Sequence, residues 1–325
     1  MIFLILSLVL TPKGKVACGP LPKQVAFSST GKFLIVTLLD GTGFQVINIE
    51  SMKVINTVKP GKDFLKSGFV EVFFLPGTDT FFVSQMNTDH IFKCYIDTSG
   101  KVEVIRSYHS HGKWPKVMAL SPNRKFLAVS NWLSSSVSII TYPDARLIKT
   151  IHTKNPRGLA FTPDEKYLIV ASFGNGDIIR IKTDTWKEVD RIHIEKGAMR
   201  HVVMKGNGRV CYVSDMFHGR IYEVSIEPFM IKRRFRVYIN PNTIDMSPDE
   251  RFLFVSCRGR NSKKGYLERS PENGKIYVID LNIGKTIKII EGGNQPTGLD
   301  VSPDGRYLAF SNFRDNNVEI FEIKP

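Results

Sequence analysis

The sequence predicts an all-β fold, a seven-bladed β-propeller built from four-stranded blades. Three observations predict it: a tight-turn motif that recurs through the chain, a spacing of about forty residues or more between copies, and short alternating apolar runs beside each turn. A period of this length, made of short strands, is typical of propeller blades. No stretch shows a sustained helical period, which excludes a helical repeat protein.

The turn motif is clearest near the C-terminus, at Ser302-Pro303-Asp304-Gly305. Pro303 presets the φ angle of the second turn position, and the residues around it are common turn formers. Apolar runs of strand length lie on both sides, at 299–301 and 307–310. Related turns begin at Ser28, Ser121, Thr162, Lys205 and Ser247, with a looser copy at Leu75.

Each unit opens its first strand with a characteristic residue, a proline in most copies. These residues are Pro22, Phe69, Pro115, Pro156, Met199, Pro241 and Pro296, which lie 47, 46, 41, 43, 42 and 55 residues apart. After the turn come a second strand, a third such as 43–49, and a basic amphipathic fourth such as 52–58. Alternating strand patterns separated by turns therefore predict four strands in each unit.

The last unit is one strand short, because the chain stops soon after the strand pattern at 318–323. The missing fourth-strand pattern occurs at the other end of the chain, at 14–19. We expect the N-terminal strand to complete the last blade, which closes the ring and removes open sheet edges. The sequence thus predicts a single propeller domain over residues 13–325.

The recurring turns and the second strands at 126–131 and 307–312 resemble those of the YVTN-repeat propellers, a WD40-like family with a YncE-like branch. The resemblance covers residues 14–325 and implies the seven-bladed fold. It does not select a function, because similar propellers include binding proteins, lactonases and redox enzymes.

The composition, with 42% apolar and 23% charged residues, excludes a disordered chain or a membrane-spanning bundle. The net charge of +14 favours acidic partners such as nucleic acid, anionic glycans or lipid headgroups, although a solvated basic surface is the alternative. RNA-recognition and helix-turn-helix signatures are absent, so sequence-specific nucleic-acid binding is not expected. We expect a monomer that binds an anionic ligand or a protein partner.

Residues 2–10 form an apolar run that is too short to span a bilayer but matches the length of a signal-peptide core. It lacks a basic start and an Ala-x-Ala cleavage site. We interpret residues 1–12 as a targeting segment, which predicts export to the periplasm or cell surface. The alternative is an extra strand or a disordered tail, with a cytoplasmic location.

Two columns of residues are predicted to meet at the mouth of the central channel. The first follows the opening residue of each unit and reads Lys23, Val70, Lys116, Arg157, Arg200, Asn242 and Thr297. Convergent cations in a concave mouth would attract an anion. The basic members, with His201 beside Arg200, are therefore predicted ligand-binding residues. The alternative is that each points into solvent from its own loop.

The second column lies where each second strand ends, and it combines polar and aromatic side chains suited to a planar or sugar ligand. Its predicted ligand-binding members are Asn131, Trp132, Phe173, Asp215, Asn312 and Phe313. The alternative is that the aromatic residues pack blade against blade. An insertion at 258–273 in the sixth unit adds Arg258 and Arg260 as members of a basic flap over the mouth, or else is a mobile surface loop.

Catalytic signatures are weak. No Gly-x-Ser-x-Gly motif, metal-ligand histidine spacing, Cys-x-x-Cys-His or Cys-x-x-Cys pair occurs, so no metal or cofactor is predicted. Asp215 and His201, with Arg200, are the only catalytic candidates. The sequence favours a non-enzymatic binding propeller. The rivals are a lactonase-like hydrolase, a cofactor-dependent redox enzyme, and an interaction platform that uses the blade edges.

Overall fold

The computed structural model describes residues 8–324, which form a seven-bladed propeller of four-stranded antiparallel sheets. The predicted fold class is confirmed. Two single-turn 3₁₀ helices, Lys62–Phe64 and Met86–Thr88, lie in connections of the second blade. Among residues 8–324 there is no helix long and apolar enough to cross a bilayer.

The strands follow one another in chain order within each blade. The first strand of the chain is β1 (Val9–Ala17). Blade 1 contains β2 (Pro22–Phe27), β3 (Phe33–Leu38), β4 (Phe44–Asn48) and β5 (Lys53–Val58). Blade 2 contains β6 (Phe69–Phe74), β7 (Thr80–Gln85), β8 (His90–Ile96) and β9 (Val102–His109). Blade 3 contains β10 (Pro115–Leu120), β11 (Phe126–Asn131), β12 (Ser136–Thr141) and β13 (Leu147–His152).

The same order continues around the ring. Blade 4 contains β14 (Pro156–Phe161), β15 (Tyr167–Ser172), β16 (Asp177–Lys182) and β17 (Lys187–His193). Blade 5 contains β18 (Met199–Met204), β19 (Val210–Asp215), β20 (Arg220–Ser225) and β21 (Met230–Arg236). Blade 6 contains β22 (Pro241–Met246), β23 (Phe252–Cys257), β24 (Lys275–Asp280) and β25 (Lys285–Glu291). Blade 7 contains β26 (Pro296–Val301), β27 (Tyr307–Asn312) and β28 (Asn317–Lys324), and is completed by β1.

The ring closes as the sequence predicts, since β1 pairs with β28 in an antiparallel register that joins Val16 to Val318. However, β1 begins at Val9, four residues before the expected domain boundary of 13. Residues 9–12 therefore belong to the propeller and not to a segment outside it, because their backbone continues the pairing with β28 to Lys324. The targeting interpretation of residues 1–7 lies outside the described residues.

The core lies between neighbouring blades. Phe44 of blade 1 packs against Phe69 and Phe81 of blade 2, with ring centroids 6.2 and 5.8 Å apart. Second strands such as β3 are buried along their whole length because a blade covers each face. Fourth strands such as β13 are mostly exposed, which explains their basic, alternating sequences.

One face of the ring carries the start of each first strand and the end of each second strand. In blade 3, Asn131 at the end of β11 pairs with Pro115 on one side and with Ser136 on the other. The loops between second and third strands, and the connections between blades, therefore share this face. We call it the upper face, and we call the channel opening there the mouth.

Candidate functional site

The mouth contains a cavity of about 330 Å³. Basic and aromatic side chains dominate its wall, together with a few apolar and amide side chains. The lining residues are Lys23, Leu39, Val70, Trp114, Lys116, Trp132, Arg157, Phe173, Arg200, Met216, Asn242, Arg258, Asn261 and Tyr266. The sequence-predicted cations Lys23, Lys116, Arg157, Arg200 and Arg258 are thus brought together in one cavity.

A bulge at the start of every first strand aims Lys23, Lys116, Arg157 and Arg200 into the mouth, whereas Arg258 directly follows the second strand β23. The pairing register shifts directly after the opening residue in all seven blades, for example between Pro115 and Met118 and between Pro156 and Leu159. A bulge bends the strand and re-aims the side chain that it displaces. Proline is tolerated at this position because it opens an edge strand. The repeated proline therefore marks the bulge that positions the cation column.

The five cations are buried. Lys23 and Lys116 are 8% and 7% exposed, and Arg157, Arg200 and Arg258 are 5%, 4% and 4% exposed. Charged side chains are rarely buried to this degree without a partner, because removing a charge from water is costly. The alternative in which each cation points into solvent is therefore wrong.

One carboxylate, Glu71 of β6, lies among these cations and is itself 5% exposed. Its Oε1 is 3.0 Å from Nη2 of Arg157 and 3.5 Å from Nη2 of Arg200. Burial raises the pKa of Glu71, but the two guanidinium groups outweigh it and hold the pKa below its usual value. Glu71 is therefore ionised at pH 7 and opposes the positive charge of Arg157 and Arg200.

Aromatic rings take the place of the missing counter-charges. Lys116 lies over the Trp114 ring at 5.4 Å, and Arg157 lies over Trp132 at 5.6 Å. Lys23 and Arg258 both lie over Tyr266, at 5.7 and 5.4 Å from the ring centroid. A cation–π contact stabilises a buried cation without neutralising it. The net positive charge therefore remains available inside the cavity.

The positive charges also act on one another. Burial, followed by Arg258, lowers the pKa of Lys23 well below its usual value, and burial, followed by Arg157, does the same for Lys116. Burial lowers the pKa of Arg157 to about 9 and that of Arg258 to about 10, so both remain charged at pH 7. A bound anion would relieve this repulsion and raise each of these pKa values.

Within residues 8–324, three guanidinium nitrogens of this cluster have no hydrogen-bond partner: Nε of Arg157, Nη1 of Arg200 and Nε of Arg258. Buried donors are normally paired, and an unpaired one costs about 1–3 kcal/mol. The mouth therefore combines excess positive charge with unused donors, which is the chemistry of an anion site.

The polar residues that end the second strands have a different role. Asn131 donates to Ser138 Oγ at 2.8 Å, and Asn312 donates to Glu319 Oε1 at 2.8 Å. Asp215 accepts hydrogen bonds from the Ala198 amide at 2.9 Å and from the Tyr222 hydroxyl at 3.0 Å. All three are fully buried outside the mouth cavity, where they fix the loops of the upper face. Asp215 therefore does not join His201 and Arg200 in a catalytic group.

The aromatic residues of the second column divide between the cavity and the blades. Trp132 and Phe173 line the mouth, with ring centroids 5.0 Å apart. Phe313 is fully buried beneath the mouth, 4.9 Å from Nζ of Lys23 and stacked on Tyr266. Phe313 therefore packs between blades, as the alternative states, while ligand binding by Trp132 and Phe173 stays a prediction.

The 258–273 insertion covers one side of the mouth. Arg258 Nη2 donates to the Tyr266 carbonyl at 3.2 Å and to Oε1 of Gln295, and Gln295 in turn donates to the Glu268 carbonyl at 2.8 Å. Tyr266 and Asn261 reach the cavity. Arg260 points away, with a largely exposed side chain 3.9 Å from Glu272.

The sequence analysis did not single out Glu71 or Trp114 as site residues, and it placed Tyr266 only within the predicted flap at 258–273. Glu71 occupies the position directly after the cation column in its blade, where a single acid among basic neighbours was the available signal. Trp114 immediately precedes the opening proline of its unit, and Tyr266 lies inside the insertion. Their placement depends on how loops from different blades converge, which the repeat alone does not show.

A second cavity of about 630 Å³, the lower chamber, occupies the channel below the mouth. Its wall includes His201, Glu71 and a pair of hydrogen-bonded carboxyl groups, Asp245 and Asp300. Burial and the Asp245 charge raise the pKa of Asp300 well above its usual value, and burial raises the pKa of Asp245 to about 6. His201 is uncharged at pH 7, because burial and then Arg200 lower its pKa to about 4.

Replacing Asp300 with asparagine should stabilise the protein increasingly as the pH rises. A carboxyl whose pKa is raised on folding stabilises the folded state fully below its ordinary pKa of 3.8. This contribution is lost as the pH rises through the folded pKa, which is about 6 for Asp245 and well above 3.8 for Asp300. Asparagine keeps the hydrogen bond to the Phe27 amide, 2.7 Å away, without a second carboxylate. We expect the D300N variant to gain about 1–3 kcal/mol at pH 8 and little at pH 4. Urea titrations across this pH range, with exposed Asp63→Asn as control, measure the difference. An equal effect at both pH values would contradict the prediction.

Comparison with known proteins agrees with this geometry. Residues 45–154 and 152–325 match the protein family described as "Lactonase, 7-bladed beta-propeller". The chain belongs to this family. Antigen Lp49 of Leptospira interrogans is 35% identical over 318 residues, which cover 92% of this chain and 67% of the antigen. A 6-phosphogluconolactonase of Formosa agariphila is 23% identical over 260 residues, which cover 69% of this chain and 70% of that protein.

Among solved structures, this lactonase-family propeller superimposes on a chain of Kuenenia stuttgartiensis hydrazine synthase with a TM-score of 0.75 and 17% identity. The alignment covers 93% of this chain and 96% of the other. At this identity the likeness supports the fold alone. The narrower YVTN-repeat, YncE-like assignment stays a prediction.

Proposed function

We propose that the protein binds a small anionic molecule in the mouth of its channel. The observation that carries the proposal is the burial of five cations around one cavity, for which Glu71 is the one carboxylate within ion-pair distance among residues 8–324. A ligand with two or more negative charges would balance this excess and use the unpaired guanidinium nitrogens. The rings of Trp132 and Phe173 would pack against its apolar part.

Calorimetric titration with inorganic phosphate, citrate and glucose 6-phosphate tests the proposal, with neutral glucose as the control ligand. We expect Lys23→Met to weaken anion binding by about 10- to 100-fold, because a charge-assisted contact contributes about 1.5–3 kcal/mol. The matched control is Lys32→Met, an exposed lysine in the turn between β2 and β3, at the opposite end of the blade. No binding of any anion by the wild type, or an equal loss in both variants, would refute the site.

Anion affinity should also fall as the pH rises. Lys23 has a lowered pKa in the free protein, and a bound anion raises it, so binding takes up protons between those two pKa values. Titrations in buffers of different ionisation enthalpy measure this uptake directly. The uptake should be smaller in the Lys23→Met variant, and its persistence at full size would assign it to another group.

Hydrolysis of an anionic lactone is the second candidate function, favoured by the name of the Formosa agariphila relative and by His201. His201 is uncharged at pH 7 and its Nδ1 has no hydrogen-bond partner in the described part of the chain, residues 8–324, so it is suited to take a proton from water. Attack by that water on the lactone carbonyl would form a tetrahedral oxyanion. Its collapse would break the ring ester bond, and His201 would return the proton to the leaving ring oxygen, which gives a hydroxy acid. A pH-stat assay with 6-phosphogluconolactone detects the acid released. Turnover that is lost in His201→Asn would favour the enzyme over a pure binding protein.

A further inference from the structure

The upper face carries exposed apolar side chains at the tips of its loops. In residues 8–324, seven large apolar side chains outside strands are exposed, and six of them lie on this face. They are Leu65, Trp114, Leu133, Phe217, Tyr266 and Leu267. The seventh, Ile283, lies in a turn at the opposite end. Trp114 and Tyr266 also line the mouth, whereas Leu65, Leu133, Phe217 and Leu267 do not.

The tips surround the mouth instead of forming one patch. They come from the connection into blade 2, the connection into blade 3, and loops of blades 3, 5 and 6. A ring of separated tips does not form a groove for an extended peptide or a helix. Tips arranged in a ring can instead all insert into one flat, soft surface at the same time.

Basic side chains accompany the tips. Lys62 and Lys66 flank Leu65, and Lys263 and Lys264 precede Tyr266, all with exposed side chains. The mouth cations lie at the centre of the same face. Apolar tips beside lysines around a basic cavity complement a surface that is anionic outside and apolar beneath, which is a bilayer containing anionic lipid.

We propose that the upper face docks on membranes rich in anionic phospholipid, with its apolar tips entering the headgroup layer. The proposal rests on the proposed anion site in one respect, since the mouth cations would hold the phosphate of one lipid headgroup. The cavity volume of about 330 Å³ accommodates a headgroup of this kind. Binding by the tips and exposed lysines is otherwise independent of the small-molecule ligand.

Vesicle co-sedimentation tests the proposal. The wild type should bind phosphatidylcholine vesicles that contain phosphatidylglycerol and should not bind vesicles of phosphatidylcholine alone. The double variant Leu133→Ser, Phe217→Ser removes tips that are 58% and 60% exposed and that do not line the mouth. We expect this variant to bind anionic vesicles at least about tenfold more weakly, because each buried apolar tip contributes to partitioning. Its titration with inorganic phosphate should match that of the wild type.

The control variant is Ile148→Ser, Ile289→Ser, which removes apolar side chains of similar exposure, 47% and 49%, from the outer strands of blades 3 and 6. It should bind vesicles as the wild type does. Phosphate binding without vesicle binding would overturn membrane docking and leave the anion site standing. Retention on poly-glutamate beads that is unchanged in the tip variant, again without vesicle binding, would assign the face to an acidic protein and overturn the proposal. Loss of phosphate binding with vesicle binding retained would overturn the anion site alone.

Discussion

Replacing Glu71 with glutamine is expected to lower the free energy of unfolding by about 3–5 kcal/mol, the typical cost of breaking a buried ion pair by removing one partner. Glu71 is the carboxylate to which Arg157 and Arg200 are paired, at 3.0 and 3.5 Å. Without it, the buried guanidinium groups of Arg157 and Arg200 have no ion-pair partner among residues 8–324. Glutamine keeps the shape of the side chain, so the loss measures charge and not packing. Urea unfolding at pH 7 gives the free energy.

Added anion distinguishes this explanation from general damage. Inorganic phosphate at about 100 times its dissociation constant should restore about 2.7 kcal/mol to the E71Q variant. Phosphate should bind the variant more tightly than the wild type, because the competing carboxylate is gone. Glu188→Gln is the control, since its pair with Arg191 is exposed on the outer strand of blade 4 and contributes at most about 1 kcal/mol. A stability loss in E71Q that no anion restores would contradict a mouth built for negative charge.

The fold was predictable because the same pattern of strands and turns recurs in seven units. Each unit supplies a turn, an opening residue and strands of matching pattern, so an irregular copy such as 75–78 is read from its neighbours. The start of β1 at Val9 was less predictable. Residues 2–10 are apolar except for Ser7, and an apolar run alone does not show whether it pairs with a strand or precedes the domain. The structure resolves this through the pairing of Leu10 with Ile323.

The cation column was predictable for the same reason, since alignment of the units places its members at one position of the bulged first strand. Depth was not. The sequence does not show that Lys116 is buried while Arg260 is exposed, because burial depends on loops from other blades. The polar ends of the second strands show the reverse error. Asn131 and Asn312 are of the residue type expected in a binding rim, yet their side chains form hydrogen bonds within the protein, to Ser138 and to the Gly293 amide.

The cation cluster also explains why the expected effects on stability have opposite signs. Burial of like charges destabilises the folded protein, while the same charges attract a ligand. Sites that bind charged ligands commonly carry such a conflict, and substitutions that relieve it raise stability at the expense of function. The carboxylate of Glu71 reduces the repulsion among the buried cations, and the lysines increase it. Each lysine should therefore behave in the opposite way to Glu71.

Replacing Lys116 with methionine is accordingly expected to raise the free energy of unfolding by about 1–3 kcal/mol, because a buried charge is exchanged for an apolar side chain of similar length. Lys116 is surrounded by Met86 and Trp114, which suit methionine. The gain should shrink as the pH rises toward 10. A lysine whose pKa is lowered on folding binds fewer protons in the folded state, so the wild type recovers stability as the pH rises through that folded pKa toward 10.5. Exposed Lys113→Met is the control and should change stability by less than about 0.5 kcal/mol. Anion affinity should fall in K116M and not in K113M. If K116M is less stable than the wild type and binds anions equally well, Lys116 belongs to the packing of the blade and not to the site.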